Sequence, residues 1–373
     1  MTVFFPYASL TWPDVDELPR HTPLIIPLGE GYSRERLASA LGDPIQAGLL
    51  PPIPYGWLGS GLHLPERLLQ SILSNLLDSL RDDGFTRVYA LTPQGVDLGL
   101  GAARISLPVE ADHTALPPDN AHGKVLMIPI GHTEQHAYHL PMSTDSDIIS
   151  AIAQGVAQSV PGKVFSLPVM PYGVSTHRQA FAGTLNAGGR AFEDFWIGLV
   201  DVLAGRGFDR FYLISGHGGN CSFLVNAVKY AGERHPQIFC ATAWLYLSGP
   251  KGVNALQEHR QSNTGGMGHA GELETALMLH LKPELVNMER VVDETDFIRT
   301  PSYYMDWVEG GALVANPPWE DDTRTGAYGA GSLGTAENGK IWLEAAITEK
   351  SDHVEEIHEQ YERRQQKRSG GKD

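Results

Sequence analysis

The feature that most constrains the fold is a series of short, unbroken apolar runs. They are "LIIPL" (24–28), "RVYAL" (87–91), "VLMIPI" (125–130), "RFYLIS" (210–215) and "IFCATAW" (238–244). Such runs, bounded by turn residues, are typical of strands buried on both faces of a parallel sheet. Apolar residues at helical spacing in 66–81 and 190–206 indicate amphipathic helices between strands. The sequence therefore predicts an α/β fold with a mostly parallel sheet and helices on both faces.

Composition limits the kinds of partner. The chain has 373 residues, 42% of them hydrophobic, which is enough for two units or one large domain. Its net charge of −16 argues against nucleic acid and anionic membrane surfaces. No apolar run approaches the roughly 18 residues of a spanning helix. Because Cys221 and Cys240 are the only cysteines and no signal-peptide pattern is present, we expect a cytoplasmic protein without a disulfide framework.

Three anchors recur in the same order in the two halves of the chain. They are "LIIPLG" (24–29) with "LMIPIG" (126–131), "LPPIPYG" (50–56) with "LPVMPYG" (167–173), and "GFTRVYALTPQG" (84–95) with "GFDRFYLISGHG" (207–218). Chance similarity among Pro- and Gly-bounded strands is the alternative. Because both order and local context match, we interpret the chain as a duplicated α/β unit.

The two copies differ in their polar residues. In the aligned anchors Glu134 corresponds to Tyr32, His136 to Arg34, and His217 to Gln94. The first copy keeps the apolar positions and lacks the acid and imidazole groups. We therefore predict a degenerate, non-catalytic half over residues 1–118 and a catalytic domain over 119–373, with 106–123 as a linker.

The stretch "GHTEQHAYHLPMSTD" (131–145) follows a predicted strand and carries Glu134, His136 and Asp145. Carboxylate and imidazole groups are ligands of divalent metals, and strand ends are where open α/β sheets bind ligands. The alternative is a polar loop that faces water. His132 and His139 lie in the same stretch, and not every one of its histidines can be a ligand.

Two later motifs add candidates. In "SGHGGNCS" (215–222), glycines expose His217 at a strand end, where it can meet a metal or a substrate. A phosphate loop is the alternative, but the P-loop lysine and GxGxxG are missing. In "GHAGELETALMLHL" (268–281), Glu272 and Glu274 are candidate ligands or only partners of the helix dipole. His269 before this helix is either a cap neighbour or a proton-transfer group.

Together these motifs resemble the creatininase family of metal-dependent amidohydrolases. The likeness extends to "PYGVSTHRQAFAGTL" (171–185) and "GAYGAGSLGTAENGK" (326–340), and it covers about residues 120 to 355. The resemblance implies a three-layer α/β/α fold with two metal ions. By motif position it implies the ligands Glu134, His136, Asp145 and His217, with Asp145 bridging the ions.

Departures from the family pattern shape the remaining predictions. Creatininase proper has a glutamate two residues after the turn histidine, where this chain has Gly219. Glu274 is then the candidate for the last ligand, with Glu272 as the fallback. The substrate-covering tryptophan before the His-Ala-Gly motif is also missing, which argues against creatinine as the substrate. The predicted substrate-binding residues are His177, Tyr172, Trp244 and Gly218.

The resemblance implies a hydrolase that cleaves a C–N bond of a small amide, lactam or formamide through a metal-bridging hydroxide. We expect two divalent ions, zinc before manganese or iron, with His269 and Glu272 as catalytic residues. Ring opening of a lactone or cyclic ketone on the same site is one alternative, and a non-catalytic binding protein is another. The expected partner is a small-molecule substrate rather than nucleic acid or membrane, and the expected assembly is a homo-oligomer.

Overall fold

In the computed structural model of the protein, residues 1–110, 114–176 and 180–370 are described. The first half contains short strands and three helices. They are β1 (Val3–Pro6), α1 (Trp12–Asp16), β2 (Leu24–Pro27), α2 (Arg34–Ala40), β3 (Gln46–Leu49), α3 (Glu66–Asp82), β4 (Val88–Pro93) and β5 (Arg104–Leu107).

The second half has longer strands and more helices. They are β6 (Val125–Ile130), α4 (Thr144–Ser159), β7 (Val164–Ser166), α5 (Gly189–Gly205), β8 (Arg210–Ser215), α6 (Gly218–Arg234), β9 (Phe239–Thr242), α7 (Pro250–His259), α8 (Glu272–Leu281) and α9 (Ala336–Gly370). The five predicted strands are β2, β4, β6, β8 and β9, and the two predicted helices are α3 and α5.

Each half forms its own parallel sheet. The strand order is β1-β3-β2-β4-β5 in the first sheet and β7-β6-β8-β9 in the second. All the strand pairs are parallel, for example Leu126 with Phe211 in β6 and β8. Every residue of β6 and of β8 is buried, as expected for strands covered on both faces. The predicted α/β class is confirmed.

The two sheets share a central layer of helices. Alternate residues of a strand point to opposite faces, so Ile26 of β2 and Ile128 of β6 both face α3 and α5 in one continuous core. On the outer faces, Ile25 packs near α2 and Met127 packs with α4, α8 and α9. Each half is therefore a three-layer α/β/α unit, and the inner helical layer belongs to both.

The strand order supports the repeat. Strands β3-β2-β4-β5 occupy the same order as β7-β6-β8-β9. The aligned anchors also make equivalent parallel bridges, Leu28 with Ile53 and Ile130 with Met170. A common origin of the two halves stays a prediction, as do their boundaries.

The first sheet has a tyrosine where the second has acid and imidazole groups. Tyr32 Oη donates a hydrogen bond to the carbonyl of Leu28, directly after β2, and lies 3.4 Å from the carbonyl oxygen of Leu91 in β4. Tyr32 also lines a cavity of about 520 Å³ at this end of the first sheet. The absence of a metal site from the first half stays a prediction.

Tyr172 joins the two halves. It is 1% exposed, and its hydroxyl donates to the carbonyl of Pro51 in the first half. Its burial and its contact with Pro51 argue against the prediction that Tyr172 binds substrate. Asn75 of α3 makes a second link by donating to the carbonyl of Ala187.

Two further segments complete the described fold. The long charged helix α9 begins at Ala336 and runs to Gly370. The predicted linker 106–123 begins inside β5 and ends in a short turn of 3₁₀ helix over Asp119–Ala121. Among the described residues no helix combines the length and apolar character needed to cross a membrane.

Candidate metal centre

Buried polar residues gather at the carboxyl ends of β6 and β8. The chain leaves β6 toward β7 on one side and β8 toward β9 on the other, so this is the switch point of the second sheet. Glu134 and His136 follow β6, His217 follows β8, Asp145 lies in the first turn of α4 and Glu274 in that of α8. All five are at most 5% exposed.

The His217 ring is oriented by a main-chain carbonyl. Its Nε2 lies 2.9 Å from the oxygen of Val174, and because a carbonyl only accepts, Nε2 carries the proton. The lone pair of Nδ1 is then free. It faces Glu134 Oε2 at 2.9 Å and Asp145 Oδ2 at 3.3 Å.

His136 is held in the opposite tautomer by the same kind of contact. Its Nδ1 donates to the main-chain oxygen of Glu134 at 3.0 Å. Its Nε2 faces Asp145 Oδ1 at 3.2 Å and Glu274 Oε2 at 3.7 Å. Asp145 therefore directs one oxygen toward each histidine, as a bridging ligand would.

These contacts fit a pair of divalent cations. Lone pairs on two imidazoles face carboxylate oxygens, which is unfavourable unless a positive charge lies between them. Two ligand atoms each about 2 Å from one zinc ion are separated by about 3 Å, which matches the spacing here. The donor set of nitrogen and oxygen atoms suits zinc and its neighbours in the first transition series.

The pKa values of His136 and His217 also indicate that the carboxylates favour a positive charge at this position. Burial lowers the pKa of His136, but the carboxylates of Asp145 and Glu274 outweigh burial and raise it to about 9. Burial acts on His217 in the same way, and Glu134 and Asp145 raise its pKa well above the ordinary value. Protons on the two rings thus take the place that cations would fill.

His269 lies beside this cluster. Its Nε2 donates to the main-chain oxygen of Gln135 at 2.7 Å, so Nδ1 is the nitrogen that can accept a proton. The ring is 4.2 Å from that of His136 and lines the cavity in front of the cluster. Burial lowers the pKa of His269 to about 3, and the ring is therefore neutral at pH 7.

Glu272 does not join the cluster. Its two carboxylate oxygens accept hydrogen bonds from the main-chain N–H groups of Gln261 and Ser262, each at 2.8 Å. This corrects the prediction of Glu272 as a catalytic residue and fallback ligand, because both oxygens are committed to a loop. Of the two glutamates on α8, only Glu274 faces His136.

Sequence reasoning missed the groups that orient the cluster. Gln135 holds His269 through its main-chain oxygen, and its own amide is fixed by Ala137 N at 2.9 Å and Gly326 O at 3.0 Å. Its sequence signal is only its place between Glu134 and His136. Val174 acts through its carbonyl, so the identity of its side chain carries no signal.

The two remaining histidines of the stretch have other partners. His132 Nδ1 accepts from the N–H of Gly173 at 2.9 Å, although the ring lies 4.5 Å from that of His217. His139 Nε2 lies 2.9 Å from Thr275 Oγ1. His132 lies close to Glu134 and His217, but because its Nδ1 accepts from Gly173, the neutral ring carries its proton on Nε2 and offers no lone pair there.

Two alanines beside the cluster have left-handed backbone conformations. Ala137 has φ 54° and Ala270 has φ 50°, and each directly follows a histidine of the site. Such conformations cost about 1–3 kcal/mol each and persist where surrounding contacts impose them. Here the N–H of Ala270 donates to Glu274 Oε2 at 2.6 Å, which ties the turn to the cluster.

A cavity of about 600 Å³ opens onto the cluster. Trp244 and Gly218, both predicted to bind substrate, line it together with His217, His269 and Glu274. His177, the remaining predicted substrate residue, lies outside the described residues. The fold and site together define the class, an α/β protein with a buried carboxylate–imidazole centre at the switch point of a parallel sheet.

Comparison with known proteins identifies the family within this class. The family model for creatininase (creatinine amidohydrolase) matches residues 113–354. The chain therefore belongs to the creatininase family and is a hydrolase of the amidohydrolase class.

Three curated relatives show the range of the family. Creatinine amidohydrolase of Pseudomonas putida is 27% identical over 255 residues, which covers 62% of this chain and 89% of the relative. The mycofactocin precursor peptide peptidase of Mycobacterium ulcerans is 32% identical over 180 residues, covering 44% and 62%. The 3-dehydro-scyllo-inosose hydrolase of Thermotoga maritima is 27% identical over 258 residues, covering 64% and 78%.

Solved structures agree with the fold. A creatinine amidohydrolase (creatininase) structure is 26% identical, with a TM-score of 0.51 over 63% of this chain and 90% of that chain. A manganese form of creatininase is 24% identical, with a TM-score of 0.52 over 63% and 91%.

Proposed function

We propose that the protein is a metal-dependent hydrolase of the C–N bond in a small amide, lactam or formamide. Glu134, Asp145 and His217 would hold one divalent cation, and His136, Asp145 and Glu274 the other. The observation that carries the proposal is the pair of fixed tautomers. His217 Nδ1 and His136 Nε2 both direct lone pairs at the two oxygens of one carboxylate, at 3.3 and 3.2 Å.

Bound cations would supply a Lewis acid for the scissile carbonyl and lower the pKa of a water toward 7. The chain supplies position and charge. Asp145 keeps the two sites at a fixed separation, and the carbonyls of Val174 and Glu134 keep the imidazole lone pairs directed inward. Burial of the cluster excludes bulk water and strengthens each of these interactions.

His269 is the proposed proton-transfer group. Its Nδ1 accepts a proton released during attack on the carbonyl, and the ring then donates it to the departing nitrogen. The hydrogen bond from Nε2 to Gln135 O keeps the ring in one orientation through both steps.

We propose zinc as the bound metal, with manganese and iron as alternatives. Solved structures of creatininase include a manganese form and a Zn–Zn form. Imidazole and carboxylate ligands suit all three metals, and the geometry gives no preference among them.

The relatives' reactions favour an amide. The creatinine amidohydrolase and the mycofactocin precursor peptide peptidases are named for C–N cleavage. The relative named as a 3-dehydro-scyllo-inosose hydrolase supports the second candidate, ring opening of a lactone or cyclic ketone on the same site. A panel of lactams and lactones assayed with zinc or manganese separates the two.

The test is replacement of the bridging carboxylate. Asp145→Ala should remove both bound metal and hydrolysis, because each cation loses a ligand. Asp147→Ala on the same helix is the matched control, since Asp147 contacts Lys282 and Ser143 instead. Elemental analysis and turnover of the amide panel are the measurements. A metal-free preparation with full turnover would overturn the proposal.

We also propose that residues 1–118 form a non-catalytic half that acts as a built-in partner of the catalytic half. The protein would act in the cytoplasm on a small molecule, and it would assemble into a homo-oligomer. Tyr32 at the switch point of the first sheet supports the assignment of that half as non-catalytic.

A further inference from the structure

The cavity in front of the metal centre is larger than an amide group needs. Its floor is formed by His217, His269 and Glu274, and its roof by the segment 297–328. A volume of about 600 Å³ lies within the range of roughly 300–1,000 Å³ that holds drug-sized ligands. The outer part of the cavity therefore has room for a second portion of the substrate.

One wall of this outer part is a pair of tryptophans beside His217. Trp244 and Trp307 lie 6.3 Å apart at an interplanar angle of 60°. A Cβ at Gly218 would lie 3.3 Å from Trp307 and 4.0 Å from Trp244. Glycine at this position therefore lets both indoles approach the start of α6, next to the metal centre.

The facing wall is aromatic as well. Trp319 lies 4.9 Å from the ring of His269 and 4.8 Å from that of Tyr328. Phe297 continues this wall at 5.3 Å from Tyr328. Aromatic rings thus flank the path from both sides of the metal centre to solvent.

The acids of the outer cavity are already engaged. Asp306 accepts from Arg260 at 2.8 Å and from the N–H of Gly265 at 2.7 Å. Asp322 accepts from the hydroxyl of Tyr328 and from the N–H of Ile298, each at 2.9 Å. Among the described lining residues there is no lysine or arginine. A negatively charged group on the substrate would therefore meet no lysine or arginine among the described residues of this cavity.

The rim of the cavity is apolar and exposed. Ile298, Leu313 and Val314 are 69%, 60% and 94% exposed, although all three are large hydrophobic residues. Exposed apolar residues at the mouth of a cavity are typical of a ligand-binding groove.

We propose that the substrate is a neutral amide with an aromatic or large apolar group on one side of the scissile C–N bond. This group lies between the two aromatic walls and reaches the rim, while the carbonyl lies at the metal centre. The inference rests on the proposed function for its reaction and on the cavity for its substrate class.

The test compares amides that share one scissile bond. N-methylacetamide, N-benzylacetamide and N-(4-carboxybenzyl)acetamide are assayed with the metal-loaded protein. We expect kcat/KM for the benzyl amide to exceed that of the methyl amide by at least about tenfold, and the carboxylate to cancel much of the gain. Equal rates, or a preference for the carboxylate, would overturn the inference and leave the proposed function standing.

Variants of the wall residues test whether the preference for the benzyl amide comes from contacts with the two aromatic walls. Trp244→Ala and Leu313→Ser should each lower kcat/KM for the benzyl amide about fivefold to tenfold, mostly through KM, and lower it clearly less for the methyl amide. Leu58→Ser is the matched control, because Leu58 is 61% exposed and lies outside the cavity. Equal losses for both amides would contradict the assignment of these walls.

A binding measurement covers the case in which no amide is turned over. Equilibrium dialysis of the same three compounds against the metal-loaded protein gives their relative affinities without hydrolysis. Tighter binding of the benzyl amide, weakened by Trp244→Ala, supports the inference even though the proposed reaction would then have failed. Indistinguishable affinities would refute it.

Discussion

At the residue scale, the centre depends on which nitrogen of each histidine faces inward. Main-chain carbonyls of Val174 and Glu134 make this choice for His217 and His136. Because a carbonyl can only accept, each contact leaves a lone pair directed at a carboxylate. The two rings are thus oriented by main-chain groups, one of which belongs to Glu134, whose side chain is itself a proposed ligand.

Gly219 lies against the hydrogen bond that orients His217. A Cβ there would lie 2.4 Å from His217 Nε2 and 2.4 Å from Val174 O, directly across their hydrogen bond. We predict that Gly219→Ala turns the His217 ring and weakens metal binding by roughly 10- to 100-fold, measured by titration of the metal-stripped protein.

Gly232→Ala is the control for that substitution. Gly232 lies on the same helix, and a Cβ there would meet no atom within 4 Å. This variant should keep its metal affinity and gain up to about 1 kcal/mol of stability from helix propensity. Equal metal affinity in both variants would show that the Val174 contact does not orient His217.

At the element scale, α9 buries an ion pair that its charged sequence does not reveal. Glu349 and Lys350 are 3% and 0% exposed, and Lys350 Nζ lies 2.9 Å from Glu349 Oε1. Glu349 also accepts from the N–H groups of Ser248 and Gly252 at the start of α7. The carboxylate thus satisfies orphan donors of one helix and a buried cation of another.

We predict that Glu349→Ala destabilises the protein by about 3–5 kcal/mol, because Lys350 would remain buried without its partner and two main-chain N–H groups would lose their acceptor. Urea unfolding followed by tryptophan fluorescence measures the change. Glu344→Ala on the same helix is the control, since its contact with Lys340 is exposed and 3.9 Å long. That control should change stability by less than about 1 kcal/mol. Similar losses for both variants would contradict the argument.

At the scale of the whole molecule, the two halves depend on one core. Leu69 and Leu73 of α3 pack with Phe192 and Phe195 of α5 between the two sheets. Neither half covers these side chains alone, and exposed apolar patches of this size favour aggregation. The second half therefore needs the first half to cover its apolar side chains, whether or not the two halves have a common origin.

Deletion of residues 1–118 tests this dependence. We predict an insoluble or aggregated fragment, because α5 would lose its cover and Tyr172 its partner Pro51. Size-exclusion chromatography with light scattering, alongside the amide assay, is the measurement. A soluble fragment with full activity and an unchanged assembly would show that the second half does not need the shared core. It would also refute the proposal that residues 1–118 act as a built-in partner.

Metal binding should stabilise the whole chain. A cation that binds only the folded state adds about 2.7 kcal/mol at a concentration 100 times its Kd. We predict that zinc or manganese raises the thermal midpoint of the metal-stripped protein, and that Asp145→Ala loses most of this rise. The same rise in the Asp145 variant would locate the stabilising cation elsewhere.

Much of the fold could be predicted, because its signals are local. The apolar run "VLMIPI" predicts a buried strand without information from the rest of the chain, and β6 covers the same residues. Short strands such as β7 and the start of α9 were missed. Strand β7 has only 3 residues, which is too short for a pattern of alternating residues to appear. The charged sequence of α9 does not show how much of that helix is buried.

The features of the candidate site also fall into those that local sequence predicts and those that depend on the tertiary structure. The sequence by itself determined the acids and imidazoles of the centre, because strand ends and glycine turns mark them locally. Only the tertiary structure decided between Glu274 and Glu272, placed Tyr172 between the halves, and set the tautomers of His136 and His217. Each of these depends on a partner remote in sequence, and distances across a fold are not encoded in any local pattern.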